Sequence, residues 1–357
     1  MANYQIKLTP VDTFFFGGEK HIQNKEGDYE TNYFVESNAY PQQTTLLGLV
    51  RYYLLLKNRN IFDGKKITDK TIAADMIGSA SFDYDNPQCG FKKIKTISPL
   101  YFAFNNESYF FAPLDLGFQM SDQFQLYKMD EKGKPKNYNA KDHYFDICQW
   151  IISINGNPKK LDDIIKTDPQ IGNEKTRKGE TKDNKFYKQL SKRMAEAGWS
   201  FCIDAEVEDG SGIPVKDSLF IPFGGEKSFF KLEVEMKDQA EFGEPRSFRR
   251  PFPYFYCQSD CFVSAGILDQ AKLTINQFVS FRNLRTTVAN TEKYSGLSAK
   301  DTKQMDRSNR FNLLQRGSIL YFDNRIVMET VAEAITKDKT HCKNIGFNQI
   351  FKNTQNQ

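Results

Sequence analysis

The sequence predicts an α+β protein with antiparallel sheets, and three observations support that prediction. Several short stretches alternate apolar and polar residues, which is typical of strands with one buried face. Strands and helices are mixed along the chain instead of alternating regularly, which argues against a doubly wound parallel sheet. Aromatic residues make up 14% of the 357 residues, including 31 Phe and 17 Tyr, and a disordered chain would be poor in them.

The first two predicted elements are a strand and a buried helix. Residues 4–10 alternate apolar and polar side chains, so we expect a strand with one solvated face. Residues 40–58 are apolar nearly all round after Pro41, which predicts a buried helix. Thr44 or Thr45 is the expected N-cap of that helix.

The middle of the chain contains one predicted hairpin and two predicted loops. A β-hairpin is expected over 98–114, with its turn at Asn105-Asn106. The charged stretch 128–142 contains glycine and proline and is expected to be a loop. The stretch 171–187 is also expected to be a polar loop, although it begins with Ile-Gly and ends with Phe-Tyr.

The later elements are five strands and one helix. Further strands are expected over 200–208, over 218–236 as two strands around Gly224-Gly225, over 272–275 and over 317–323. Residues 325–337 are expected to form an amphipathic helix, in which the residues at helical spacing are Val327, Val331, Ala334 and Ile335. The final residues, 352–357, are expected to be disordered.

The chain is long enough for two units with separate cores. We predict an N-terminal unit at 1–238, which contains an inserted basic loop at about 157–198, and a smaller C-terminal unit at 239–357. A polar, proline-bearing stretch at 238–253 marks the expected boundary.

The composition restricts the function classes without selecting one. The net charge is +4, from 49 Lys and Arg against 45 Asp and Glu, which does not by itself indicate a nucleic-acid binder but permits a local basic face. The six cysteines form no Cys-x-x-Cys pair, so we expect free thiols in a reducing compartment. There is no recognisable signal peptide or membrane span, so we expect a cytoplasmic protein.

The sequence shows no recognisable catalytic motif, so we predict a protein that is not an enzyme and needs no metal or cofactor. It has three histidines and lacks a zinc motif, a nucleophile elbow and a phosphate-binding glycine loop. His21, beside Lys20, is the candidate general acid or base for RNA cleavage. The alternative is an exposed loop histidine that at most contacts a phosphate. His143 and His341 are expected at the surface.

Four stretches, taken in order, resemble the RAMP-superfamily third subunit of the type III-B (Cmr) CRISPR effector complex. They cover about residues 1–236 and read "LTPVDTFFFGGEKHI", "YPQQTTLLGLVRYYLL", "PQIGNEKTRKGETKDNKFY" and "FIPFGGEKSFFKLEVE". Each stretch alone is a weak signal, whereas the ordered set is fairly specific. Two features depart from the pattern, namely Gly17-Gly18-Glu19 in the first loop and the reduced glycine motif around Gly346.

The resemblance implies a fold, a role and partners. The fold would be two ferredoxin-like (RRM-like) units with inserted loops. The role would be that of a non-catalytic subunit that holds the 5′ handle of the CRISPR RNA for antiviral defence. The partners would be the large polymerase/cyclase-like subunit and a backbone RAMP subunit, within a hetero-oligomeric ribonucleoprotein without a membrane.

With the resemblance, the polar stretch 171–187 becomes a candidate RNA contact. Lys175, Arg177 and Lys178 would supply charges to phosphates, whereas the alternative is a solvated surface loop. In the predicted helix 40–58, Gly48 would let a neighbouring backbone approach closely. Arg51 would reach either an RNA phosphate or a carboxylate.

The remaining candidates lie further along the chain. Gly224-Gly225, followed by Lys227, form either a simple hairpin turn or a backbone amide surface beside the handle. Arginines interleaved with phenylalanines suit unpaired bases or a partner protein; they are Arg246, Arg249 and Arg250. The basic set continues with Arg282 and Arg285, and then with Arg307, Arg310 and Arg316.

Three other functions stay open at the level of sequence. The nearest is the equivalent subunit of another type III complex. The second is a RAMP endoribonuclease that processes precursor CRISPR RNA with His21 as its catalyst. The third is a protein-interaction scaffold that contacts no RNA.

Overall fold

The protein is described here from a computed structural model. The structure describes residues 1–17, 20–25, 28–64, 66–121, 123–129, 132, 134–137, 148–175, 181–242, 250–264, 266–285, 307–337 and 339–353.

Strands dominate this part of the chain. In chain order they are β1 (Ala2–Pro10), β2 (Lys20–Lys25), β3 (Asp28–Glu36), β4 (Ile94–Ile97), β5 (Tyr101–Phe104), β6 (Glu107–Phe111), β7 (Gln119–Met120), β8 (Leu126–Met129), β9 (Pro135–Asn137), β10 (Trp150–Ser153), β11 (Pro158–Lys160), β12 (Ile165–Lys175), β13 (Thr181–Met194), β14 (Ser200–Val207), β15 (Lys216–Pro222), β16 (Phe229–Lys237), β17 (Tyr254–Cys257), β18 (Leu273–Ile275), β19 (Phe278–Phe281), β20 (Phe311–Leu314), β21 (Ile319–Tyr321) and β22 (Ile350–Lys352).

The helices are few and mostly short. They are α1 (Gln43–Leu56), α2 (Lys70–Ile77), α3 (Leu161–Ile164), α4 (Arg325–Thr336) and α5 (Thr340–Lys343), with one 3-10 turn at Leu268–Gln270. The predicted α+β class with antiparallel sheets is confirmed. Within the described ranges, no helix is both long and apolar enough to cross a membrane.

A large antiparallel sheet, the main sheet, organises the N-terminal part. Its strand order is β11-β10-β6-β5-β14-β1-β16-β15, and β4 also pairs with β14. The predicted first strand is confirmed as β1, which lies between β14 and β16. Tyr4, Ile6 and Leu8 are only 6%, 2% and 0% exposed, because alternate side chains of a strand share one face.

The predicted first helix is confirmed as α1, but its N-cap was wrong. Gln42 occupies the N-cap position and makes no side-chain capping bond. Thr44 and Thr45 already lie inside the helix. Tertiary burial therefore stabilises the start of α1 in place of a local cap, and seven apolar side chains of this helix are buried in the core: Leu46, Leu47, Leu49, Val50, Tyr53, Leu54 and Leu55.

The predicted turn at Asn105-Asn106 is confirmed between β5 and β6. Both residues have positive φ, 49° and 63°, as a type I′ hairpin turn requires. The loop expected over 128–142 was wrong in part, because β8 and β9 pair there as a second hairpin. Leu126 is buried at the start of β8 and anchors this hairpin to a hydrophobic cluster.

The polar stretch 171–187 was also assigned wrongly, because its described residues are strands. β12 and β13 pair antiparallel, β13 pairs parallel with β3, and β3 pairs antiparallel with β2. We call these four strands the ribbon sheet. The sequence of 171–187 is almost entirely polar, so the period of two that marks a half-buried strand is missing from it. Residues 176–180 lie outside the described residues.

The C-terminal part contains a smaller antiparallel sheet in the order β18-β21-β17-β22, which confirms the strands expected over 272–275 and 317–323. The predicted helix is confirmed as α4, but its buried face differs from the expected one. Its buried side chains are Met328, Val331, Ala332 and Ile335, whereas Ala334 is exposed. The buried set follows the i, i+3, i+4, i+7 spacing of a single helical stripe.

The largest hydrophobic core crosses the boundary predicted at 238/239. Phe82 of the N-terminal part lies 5.7 Å from Phe347, 6.2 Å from Phe262 and 6.5 Å from Phe281, measured between ring centroids. All four rings belong to the same buried cluster as β1 and α1. The division into two units therefore stays a prediction, and we call the contact region between the two parts the junction.

Candidate nucleic-acid interface

The chain segment that contains β12 and β13 is strongly basic in sequence. Residues 165–194 contain nine Lys and Arg against four Asp and Glu, a net charge of +5, whereas the whole chain has +4. The rest of the chain is thus close to neutral. A basic segment of this kind attracts phosphates independently of base sequence.

Several basic side chains of the ribbon are described, and they differ in how strongly they are held. Lys192 is held by Glu36 at 2.9 Å and by Thr167 at 3.0 Å. Lys188 lies 5.8 Å from the centroid of the Phe34 ring. Arg193 is exposed. These residues of β13 are not among the candidates predicted from sequence, although the local charge balance indicates them.

Three of the motif stretches meet beside this ribbon. The first loop pairs with β13, because Phe14 and Lys192 exchange backbone hydrogen bonds of 2.7 and 2.9 Å. The same loop pairs with the Gly224-Gly225 hairpin through Phe15. Fold topology therefore gathers segments that are more than 150 residues apart in sequence. Lys20 and His21 are located on β2 of the ribbon sheet, but their side chains lie outside the described residues, as do those of Lys175, Arg177 and Lys178.

Steric crowding explains why a glycine stands at the first position of the Gly224-Gly225 pair. Gly224 has φ +87°, and a Cβ there would be 2.5 Å from the Phe15 carbonyl oxygen. The Gly225 amide donates to that same oxygen at 2.7 Å. Gly224-Gly225 is thus a hairpin turn that seats the first loop, and its Gly225 amide is engaged within the chain. Lys227, also in this turn, is exposed.

Arg51 is engaged by backbone carbonyls. Its guanidinium donates to the carbonyl oxygens of Ile77, Gly78 and Ala80 at 2.7, 3.2 and 2.6 Å. Burial lowers the pKa of Arg51 to about 10, so the group is still cationic at neutral pH. This geometry ties α1 to the end of α2 and matches neither a phosphate nor a carboxylate contact.

Gly48 does not show the close approach expected for it. A Cβ at this position would meet no described atom of the chain within 4 Å, and Gly48 is exposed on α1. The expectation that a neighbouring backbone of this chain packs against Gly48 was therefore wrong for the described residues.

Arg250 forms a buried ion pair. Its Nε lies 2.7 Å from Oδ2 of Asp115, whose side chain is 1% exposed, and its second terminal nitrogen lies 3.2 Å from Oδ1. Burial alone would lower the pKa of Arg250, but the Asp115 carboxylate raises it above the ordinary value. Arg250 thus holds the start of the C-terminal part against the N-terminal part. Arg246 and Arg249 lie outside the described residues.

Arg282 and Arg285 also bind within the chain. The Arg285 guanidinium lies 3.1 Å from both Asp83 and Asp85, and Arg282 donates to the Ser308 carbonyl oxygen at 2.9 Å. Both residues therefore have structural partners, and those of Arg285 link the two parts of the molecule.

Arg316 is the most deeply buried of the arginines. Its side chain is 0% exposed and its terminal nitrogen lies 2.8 Å from Oδ2 of Asp260. The guanidinium carbon also stacks 4.6 Å from the Tyr40 ring centroid and 4.9 Å from that of Phe111. Burial alone would lower the pKa of Arg316, but Asp260 raises it above the ordinary value.

The outer face of the main sheet carries a groove of mixed charge. Its charged lining residues are four carboxylates and three lysines, namely Asp217, Glu233, Glu235, Glu241, Lys7, Lys216 and Lys237, and Glu235 pairs with both Lys216 and Lys237. Phe242 covers two of the aromatic rings of this face, at 5.5 Å from Phe110 and 6.2 Å from Tyr101. The stacking surface of an RRM-like sheet is therefore partly occupied by the chain itself.

His341 is buried, so its expected surface position was wrong. It stacks on Phe82 with a centroid distance of 5.9 Å, and its Nε2 lies 3.1 Å from the Tyr84 carbonyl oxygen. Burial lowers its pKa, so His341 is a core residue of the junction. His143 lies outside the described residues, and the described ones contain no cluster of three or more potential metal ligands from His, Cys, Asp and Glu.

The comparison with protein families gives the identification. A family model described as "CRISPR-associated protein (Cas_Cmr3)" matches residues 6–133 and 119–353. The chain belongs to this family. As a Cas_Cmr3 protein it is a RAMP-like subunit of a type III-B (Cmr) CRISPR effector, which confirms the resemblance and extends it beyond the N-terminal 236 residues.

The chain is also similar to subunits of solved type III effector complexes. Chains from two cryo-EM structures of the type III-B Cmr-β complex, one bound to cognate target RNA and one to cognate target RNA and AMPPnP, are each 15% identical to this one. The matches cover 98% and 97% of this chain and 96% of each of those chains, with TM-scores of 0.49 and 0.47. A chain of a Csm3–Csm4 subcomplex from a type III-A interference complex is 11% identical, with coverages of 90% and 93% and a TM-score of 0.38. No curated protein matched in sequence.

Proposed function

We propose that this Cas_Cmr3 protein is a non-catalytic subunit that holds the 5′ handle of the CRISPR RNA. In the same proposal it docks the large polymerase/cyclase-like subunit and a backbone RAMP subunit in the cytoplasm. The observation that carries the RNA role is the concentration of positive charge on the ribbon, a net +5 within residues 165–194. Phosphate contacts of this kind fix the position of a strand without reading its bases.

The strand orders support two ferredoxin-like units. A βαββαβ unit places its strands in the order 4-1-3-2. The order β16-β1-β14-β5 within the main sheet has this form, with α1 after its first strand and β15 in place of the second helix. The C-terminal order β22-β17-β21-β18 has it too, with a 3-10 turn in place of the first helix and α4 as the second.

An apolar patch supports the docking role. Phe220, Val11 and Phe229 are 66%, 58% and 49% exposed. Val11 donates a backbone hydrogen bond of 3.0 Å to the carbonyl oxygen of Phe229. Phe220 of β15 is paired with Lys231, two residues from Phe229 on β16, so the three residues lie near one another. Exposed apolar patches of this kind are typical of protein contact surfaces.

Assembly with and without this subunit tests the role. Purified effector complex should protect the 5′ handle from a single-strand nuclease, and complex assembled without the subunit should leave the handle open to cleavage. Replacement of Lys166, Lys188 and Arg193 by Gln should expose the handle in part. The control replaces three exposed lysines outside the ribbon, Lys66, Lys92 and Lys337, and should keep full protection.

Two results would contradict the proposal. Equal protection with and without the subunit would remove the RNA role. Equal recovery of the large subunit in assemblies that lack this chain would remove the docking role.

A further inference from the structure

A pocket of about 140 Å³ opens at the junction, where the N-terminal and C-terminal parts meet. We call it the junction pocket and define it by Tyr40, Gln42, Gln149, Gln315, Phe281 and Phe347. Tyr40 and Gln42 lie just before α1, and Gln149 directly precedes β10. The other three residues come from the C-terminal part. The pocket therefore exists only when the two parts are joined.

The junction pocket lies next to the proposed RNA path. Asn38, which also lines it, follows the ribbon strand β3 by two residues. The Asn38 amide donates to the Gly17 carbonyl oxygen at 2.6 Å, so the first loop passes beside the pocket. A strand of RNA that follows the ribbon to its base would arrive at this opening.

The polar groups of the pocket are mostly neutral amides. Nε2 of Gln149 lies 3.1 Å and Nε2 of Gln315 lies 3.3 Å from the Tyr40 hydroxyl. Gln42 makes no side-chain capping bond on α1. Side-chain amides carry both donors and acceptors, which is what the edge of an unpaired base requires.

The pocket offers no cation to a phosphate. The charged residue among its described lining is the carboxylate of Asp260, and neither Lys nor Arg lines the pocket there. Asp260 itself is neutralised by Arg316, whose backbone amide and side chain both donate to it, at 3.0 Å and at 2.8 Å. Since the lining is otherwise uncharged, the pocket suits a neutral, polar, planar group.

The volume of the pocket narrows the class of ligand further. An engineered apolar cavity of about 150 Å³ binds benzene, whereas drug-sized ligands occupy pockets of about 300–1,000 Å³. A volume near 140 Å³ therefore matches one six-membered ring. Phe281 and Phe347, which are 2% and 1% exposed, supply an apolar floor for such a ring.

We infer that the junction pocket binds a single unpaired pyrimidine base of the RNA held by this subunit. The inference rests on the proposed function, because it takes the RNA handle as the source of the base. Its ring would enter against the phenylalanine floor, and its polar edge would face the amides of Gln42, Gln149 and Gln315.

The test uses the assembled effector complex and CRISPR RNA in which handle positions are made abasic one at a time. Removal of a stacked base typically costs about 1–3 kcal/mol, or roughly 5- to 150-fold in affinity. We expect a loss in this range at one pyrimidine position.

A variant that fills the pocket tests whether the base at that position is the one bound there. Ser280 lines the pocket and is exposed, so Ser280→Trp fills the opening with little change to the core. In this variant, the abasic substitution at the sensitive position should have no further effect. Ser218→Trp, at an exposed serine of β15, is the matched control and should keep the sensitivity. Gln42→Leu removes one amide without filling the pocket and should weaken binding of the intact RNA but not of the abasic RNA.

The outcomes separate the two proposals. Handle protection that depends on the subunit, together with no sensitive position or a sensitivity that survives Ser280→Trp, overturns the pocket and leaves the proposed function standing. Sensitivity at a purine position alone also overturns the pyrimidine assignment. Protection that is independent of the subunit overturns both.

Discussion

The ribbon sheet and the junction are both rich in basic residues, but they use them differently. In the segment 165–194, which contains β12 and β13 of the ribbon, the basic residues outnumber the acidic ones by nine to four. At the junction, carboxylates hold Arg250, Arg285 and Arg316. A basic side chain is available to RNA only where its own chain does not already bind it, and the sequence alone does not show which case applies.

The junction should respond most strongly to the loss of one charge. Arg316→Ala leaves Asp260 buried without its partner, and breaking a buried ion pair costs about 3–5 kcal/mol. We expect the free energy of unfolding to fall by that amount in a denaturant titration. In the ribbon, the exposed Arg193→Ala should change it by less than about 0.5 kcal/mol. Similar losses at the two sites would erase the distinction between the regions.

Substitution of two glycines by alanine should have opposite effects on stability, because their backbone conformations and surroundings differ. Gly224→Ala forces a side chain into the left-handed region and against the Phe15 carbonyl oxygen, so we expect a loss of stability of at least about 1–2 kcal/mol. Gly48→Ala meets no described atom and should stabilise the helix by about 0.5–1 kcal/mol. Thermal melting of the two variants checks both signs, and a destabilised Gly48→Ala would indicate a contact at α1 that the described residues do not show.

The ribbon should respond to salt. Each phosphate contact on a single strand contributes about 0.7 to the slope of log affinity against log salt concentration. Replacement of Lys175, Arg177 and Lys178 by Ala should therefore lower that slope by about 2, equally for handles of different sequence. Salt titrations of handle-RNA binding measure this effect, and a melting curve serves as the control. An unchanged slope would indicate that this segment is a solvated surface that does not contact RNA.

The smallest expected effect is at His21. We predict that the subunit is not an enzyme, so His21→Ala should leave the length of mature CRISPR RNA unchanged in cells. Sequencing of the guide ends checks this. Loss of correctly trimmed guides from an otherwise intact complex would favour the endoribonuclease alternative.

The elements that the sequence predicted well are those with a local signal. Alternation in β1, the Asn105-Asn106 turn and the apolar body of α1 are all encoded within a few neighbouring residues. The ribbon strands lacked such a signal, because backbone pairing with distant segments holds them in place and their sequence shows no alternation of apolar and polar residues. The Arg51, Arg250 and Arg285 contacts were missed for the same reason. Their partners lie 26 to 202 residues away along the chain.

The position of β1 has a consequence for synthesis of the protein. This strand is made before the strands that it pairs with, residues 200–207 and 229–237. At a translation rate of about 5–20 residues per second, it waits roughly 10–40 seconds for its partners. During that interval the apolar face formed by Tyr4, Ile6 and Leu8 is not yet part of a sheet. Folding of this subunit is therefore dominated by long-range pairing, which is slow and leaves β1 exposed to aggregation until its partner strands are made.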